Sequence, residues 1–201
     1  TLPLAWFDRH DGPPTWEVPA IPELTDPSWT PPRTGEWHIR TTVQEMAENQ
    51  VDAAHFLHVH GADAQPTTKP ERHGHVLRVH STTTRSTPAG LMRSSIEVHS
   101  HGLGLTTIRF RGFFEVLLVG CAAAVDEDLV HLRFAVTTRD LGHGISSNLV
   151  AGFLADVEGQ IAQDRQIWEH KTWIEHPLLV ESDGPIGVFR TWVRQFYPRE
   201  P

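Results

Sequence analysis

From residue 73 to residue 138 the chain alternates with a period of two, in phrases such as HVLRVHSTTTRS, LMRSSIEVHSH and DLVHLRFAVTTR. These are rich in Thr, Val, Ile and Phe, and TPAG, HGLG and DED separate them. Alternation puts every second side chain on one face of a sheet, and connectors this short join only antiparallel neighbours. LTTIRFRGFFEVLLVGCAAAV reads as strand throughout. Residues 143–171, HGISSNLVAGFLADVEGQIAQDRQIWEHK, then read as one long helix with Ser146 or Ser147 as N-cap. A curved antiparallel sheet closed over a long helix is an α+β design able to enclose an apolar cavity.

The rest of the chain divides around this block. Residues 1–35 hold more than half of the fifteen prolines, which suit neither central strands nor helix interiors. They form an extended, surface-hugging lead-in to a domain over 36–201. EWHIRTTV (36–43) reads as a short strand. VQEMAENQVDAAHFLHV (43–59) has no Gly or Pro and reads as one helix ended by Gly61. The tail closes on an amphipathic turn carrying Phe189, Trp192, Val193 and Phe196.

Charge and cysteine narrow the function. A net charge of −8 with no Lys/Arg-rich run argues against nucleic acid and anionic membrane surfaces. No run of eighteen apolar residues exists, so no membrane-spanning helix is expected. The single cysteine, Cys121, excludes a disulfide framework and a thiolate cluster built by this chain alone. With no signal-like segment, the lone thiol points to the cytoplasm.

The fourteen histidines are ordinary surface residues except where spacing makes them ligands. Asn49, Asp52 and His55 are three apart and would share a helix face. His60 lies five beyond His55, about 140° away on an ideal helix. The two imidazoles converge only if the helix unwinds or takes a π-type turn between them. Far downstream, the apolar stripe Val150, Phe153, Leu154, Val157, Ile161, Trp168 is interrupted by Asp164 where a core residue belongs. A buried carboxylate must protonate, find a cation or bind a metal. Two imidazoles and one carboxylate form the facial triad that leaves three cis positions open on Fe(II). Asp52, three before His55, is placed to accept that histidine's other N–H. His58 is out of phase, and His73/His75 and His99/His101 lack a further ligand. Cavity candidates are Phe56, Leu57, Phe114, Leu117 and Phe153.

ENQVDAAHFLHVHG resembles the Asn-x-x-Asp-x-x-His-x(4)-His signature of the catalytic domain of Rieske non-haem iron oxygenases. AQDRQIWEHKTW resembles that family's carboxylate-ligand segment, and HPLLVESDGPIGVFRTWVRQFY is similar to the C-terminal end of its 3-ketosteroid 9α-hydroxylase and sterol-modifying branch. LAWFDRHDGPPTWEVP resembles the strand and linker that follow the Rieske domain.

The resemblance implies a helix-grip (START-like) fold, with His55, His60 and Asp164 holding mononuclear Fe(2+) and Asn49 as a polar neighbour. Asp52 would bridge to a Rieske histidine of the adjacent subunit in a homotrimer. It also implies monooxygenation of a steroid-like apolar substrate by dioxygen, with electrons from a reductase and a Rieske [2Fe–2S] domain. That cluster needs two cysteines that this chain lacks. The piece is therefore expected to follow a missing Rieske domain and to be inactive alone. Two rivals differ: a non-enzymatic START-like lipid or steroid carrier, and a same-family oxygenase acting on an aromatic substrate.

Overall fold

The computed structural model describes residues 4–8, 11–87, 90–112, 114–142, 144–180 and 183–197. Its centre is one seven-stranded, wholly antiparallel sheet in the order β1-β7-β6-β5-β4-β3-β2. The strands are β1 (Arg33–Arg40), β2 (Thr67–His73), β3 (Val76–Thr87), β4 (Gly90–His101), β5 (Leu105–Arg111), β6 (Glu115–Asp126) and β7 (Leu129–Thr138). From β2 to β7 each strand pairs with its successor, as the short connectors require. The expected TPAG turn includes residues 88 and 89, which lie outside the described residues.

Two strand readings change. β2 was not legible because TTKPERH is polar and contains Pro70. It is an edge strand, where a missing N–H breaks no ladder and polar side chains deter further pairing. LTTIRFRGFFEVLLVGCAAAV is two strands, β5 and β6, parted at Gly112.

The sheet's two faces are both packed. On one, Ile39, Val116, Leu118, Leu132 and Val136 meet Val150, Val157, Ile161 and Trp168 of the long helix α3 (Ile145–Trp168). On the other, Trp29 joins Leu105, Leu117, Val119 and Ala135, and pairs by a single bridge with Arg139. Helix α3 is capped by Gly144 in the left-handed conformation rather than by a serine. Ser146 is buried, and its hydroxyl accepts from Leu141 N at 2.6 Å, which spends it on the preceding turn.

The expected helix over 43–59 is broken into α1 (Val43–Glu48) and α2 (Ala53–His58). Asp52 makes the break: its carboxylate accepts from Ala54 N at 3.0 Å and His55 N at 3.2 Å, an N-cap that starts a new helix. Asn49, Asp52 and His55 therefore do not share one helical face. Gly184 packs against the break at φ +73°, where an added Cβ would lie 2.8 Å from Val51 O.

Helix α4 (Ile186–Val193) buries Ile186, Phe189, Trp192 and Val193 against Ala47, Val51, Leu77 and Val79. Arg190 locks α4 to α1 through Glu48, at 2.7 and 3.0 Å, and also donates to Ile174 O at 2.6 Å. Lys171 pairs with Glu45 and Glu48 from the segment after α3. Two chain segments, α4 and the stretch after α3, thus close on α1, beside the break that carries the polar cluster. Among the described residues no helix is long and apolar enough to cross a membrane.

Candidate metal centre

Three side chains distant in sequence meet between α2 and α3. One ligand atom from each of His55, His60 and Asp164 lies within 4.8 Å of the others, the one such group of three among the described residues. The five-residue spacing is bridged by the chain itself. Helix α2 ends at His58, His60 N donates to His55 O at 3.2 Å in an i→i+5 turn, and Gly61 follows at φ +65°. That π-type step rotates the second ring back toward the first, their centroids 5.1 Å apart and their planes at 81°. Asp164 arrives from the buried stripe of α3, in phase with Val157, Ile161 and Trp168.

The neighbouring bonds fix both rings. His55 Nδ1 donates to the backbone carbonyl of Asp52, and His60 Nδ1 donates to Gln163 Oε1 at 2.9 Å. Each ring then turns its Nε2 inward, and Asn49 Nδ2 lies 3.4 Å from that of His55. His60 Nε2 lies 3.3 Å from Asp164 Oδ1, and Asn49 Nδ2 donates to Asp164 Oδ2 at 3.2 Å. Two imidazole nitrogens and a carboxylate converging on one point are the ligand types a divalent metal takes, so the donor set fits such an ion.

Burial acts on the same groups. It pushes the Asp164 carboxyl up to about 6, partly opposed by His60 and Asn49, and it lowers His55 below the ordinary histidine value. A neutral imidazole is the form that binds metal.

The sequence-based site residues divide. His55, His60, Asp164 and Asn49 come together; His58 is exposed, and the centre does not include it. Asp52 holds His55 through its main-chain oxygen, while its carboxylate is engaged as the α2 cap; the expected carboxylate–imidazole bond is replaced. Gln163 was not anticipated. A glutamine on an exposed helix stretch carries no sequence signal, and only the fold shows that it meets His60.

A cavity of about 190 Å3 opens from the triad along the sheet. Its walls are mostly apolar, with Met46, Ile108, Leu118 and Trp168 among them, and Gln50 adds a polar point bonded to Ser100 and Thr106. Of the five cavity candidates only Phe56 lines it. Leu117 has the wrong strand parity: Leu118 and Gly120 face the cavity, so Leu117 packs on the opposite face of the sheet. Phe153 stands behind Phe110, ring centroids 4.8 Å apart, and Phe110 is the wall. Phe114 packs against the main core, and Leu57 is not among the walls.

Residues 5–197 match the family described as 3-Ketosteroid 9alpha-hydroxylase C-terminal domain. The chain belongs to this family. It is 30% identical over 217 aligned positions to the oxygenase component of 3-ketosteroid-9-alpha-monooxygenase from Mycolicibacterium smegmatis, covering 98% of this chain and 56% of that protein. It is 27% identical over 223 positions to cholesterol 7-desaturase of Caenorhabditis elegans, covering 96% and 51%. The chain thus spans about half the length of the curated relatives it matches. Dicamba monooxygenase, solved with 3,6-dichlorosalicylic acid, superposes with a TM-score of 0.68 at 14% identity, over 89% of this chain and 62% of that one. At that identity the superposition shows a shared fold, that of a Rieske oxygenase catalytic domain. The resemblance in ENQVDAAHFLHVHG and the C-terminal phrases therefore extends through nearly the whole chain.

Proposed function

We propose that this chain is the catalytic domain of a Rieske-type monooxygenase acting on a steroid or sterol-like substrate, with a single Fe(II) held by His55, His60 and Asp164. The observation that carries the reading is the convergence of those three ligand atoms within 4.8 Å at one end of an apolar cavity. The sheet and α3 are read as a helix-grip fold, with the cavity between grip and sheet. When bound, the iron supplies dioxygen activation at the positions its three protein ligands leave open.

The chain's own residues prepare the place for that chemistry. Asp52 O and Gln163 orient the two imidazoles, and Asn49 holds the carboxylate by its second oxygen. Met46, Phe56, Ile108 and Trp168 keep water from the substrate carbon, while Gln50 offers a hydrogen bond to a polar group on the ligand. Electrons come from a reductase through a Rieske [2Fe–2S] domain on another part of the protein or another chain. Asp52, half-buried and holding the His55 ring through its main-chain oxygen, is the docking point in a trimer. The matched relatives are named for a 3-ketosteroid and for cholesterol, both fused-ring lipids, which supports the substrate class over an aromatic acid.

A lipid carrier of the same fold has no use for a buried, acceptor-only trio of two imidazoles and a carboxylate. Anaerobic Fe(II) loading of the full chain, followed by metal analysis, tests the reading. The wild type should bind about one iron and His55→Ala should lose it; equal binding by the variant rejects the oxygenase in favour of the carrier.

A further inference from the structure

Helix α3 grips His60 at both ring nitrogens with consecutive residues. Asp164 Oδ1 lies 3.3 Å from Nε2, and Gln163 Oε1 lies 2.9 Å from Nδ1. The His60 side chain is only 7% exposed, so its nitrogens depend on these partners more than on water. His55 is held differently. Its Nδ1 meets the main-chain oxygen of Asp52, a group that can only accept, so a neutral His55 keeps its proton on Nδ1. Its Nε2 is left to Asn49 Nδ2, at 3.4 Å.

The partner of His60 has no such restriction. One end of a glutamine amide accepts and the other donates, and a half-turn about its last bond exchanges them. Gln163 is exposed and, among the described residues, makes no other hydrogen bond. Water therefore takes whichever end faces away from His60, and turning over breaks no buried contact. A neutral His60 needs both settings. With its proton on Nε2 it donates to the Asp164 carboxylate, and Nδ1 is then an acceptor for the Gln163 amide nitrogen. A metal takes an unprotonated Nε2, which moves the proton to Nδ1 and calls for Oε1, the end that faces His60 in the structure.

We propose that Gln163 is a positioning residue that sets the tautomer of His60, its amide turning over as metal enters and leaves the site. The proposal rests on the metal reading given above and adds how one ligand keeps both nitrogens satisfied in either state. Substitution takes the two settings apart. A carboxylate at 163 accepts only, and holds the proton on Nδ1 whether or not metal is present. An aliphatic side chain there favours neither nitrogen.

The test reads histidine ring nitrogen chemical shifts in the full chain at about pH 8, where an ordinary imidazole is neutral. Spectra are taken metal-free and with Zn(II), a diamagnetic stand-in for ferrous iron, and loss of signals in His60→Gln assigns the ring. The wild type should carry the His60 proton on Nε2 without metal and on Nδ1 with it. Gln163→Glu should keep it on Nδ1 in both. Gln163→Leu should show a mixture without metal and bind Zn(II) about tenfold more weakly, measured against a chelating dye. The wild-type comparison needs no variant, so misfolding of either one leaves the test standing. The same His60 tautomer in both states, a doubly protonated His60 without metal, or folded variants indistinguishable from wild type overturns the switch and leaves the metal site in place. A wild type that takes up no Zn(II) overturns the metal reading, and the switch with it.

Discussion

Asp164→Asn should stabilise the metal-free protein and at the same time abolish the iron binding proposed for it. Asp164 is only 7% exposed, and burial raises its carboxyl from 3.8 to about 6. A raised value means that the fold favours the protonated acid. That contribution is fully present below 3.8 and is lost as pH rises through about 6, above which the folded protein carries a costly buried charge. The gap corresponds to about 3 kcal/mol near pH 7.5 and about 1 kcal/mol near pH 4.5. Asparagine keeps the shape. Its carbonyl can accept from Asn49 Nδ2, and its amide can donate to His60 Nε2. Urea unfolding of chelator-treated wild type and variant should show a gain of about 2–3 kcal/mol near neutrality, shrinking to about 1 kcal/mol or less in mild acid. Anaerobic Fe(II) titration should show affinity falling by about 100-fold or more, since a neutral amide replaces the one anionic ligand. A variant that is less stable than wild type at neutral pH, or that keeps its iron, refutes the account of Asp164 as a carboxylate held at a cost for a cation.

Three further outcomes follow from the same geometry. Asp52→Ala removes the cap of α2 and should cost about 1 kcal/mol in thermal unfolding, while Asp52→Asn, another good cap, should cost little. Arg190→Met strands the 5%-exposed Glu48 with only a longer Lys171 contact and should cost about 3 kcal/mol by denaturant titration; adding Glu48→Gln should recover much of it. His101, lowered to about 4 from 6.5, contributes stability that is present above 6.5 and lost as pH falls toward 4, so His101→Phe should flatten the dependence of melting temperature on pH over that window.

The sequence by itself determined the parts of this protein that depend on local repetition. Period-two phrases with short connectors gave the meander from β3 to β7, and the apolar stripe of residues 150–168 gave α3 together with the one position, Asp164, that did not belong in it. The break in α1–α2 escaped notice because Asp52 competes for backbone N–H groups only when its neighbours fold around it. A run free of Gly and Pro does not show where a carboxylate will cap. β2 escaped because an edge strand needs no hydrophobic face. Leu117 was placed in the cavity and is not there, since one residue of register exchanges the two faces of a strand. Only the tertiary structure brought Gln163 to His60, because this is a contact between chain segments whose spacing in sequence carries no period. The donor atoms of the centre were written in residue types; which side chains orient them was decided by packing.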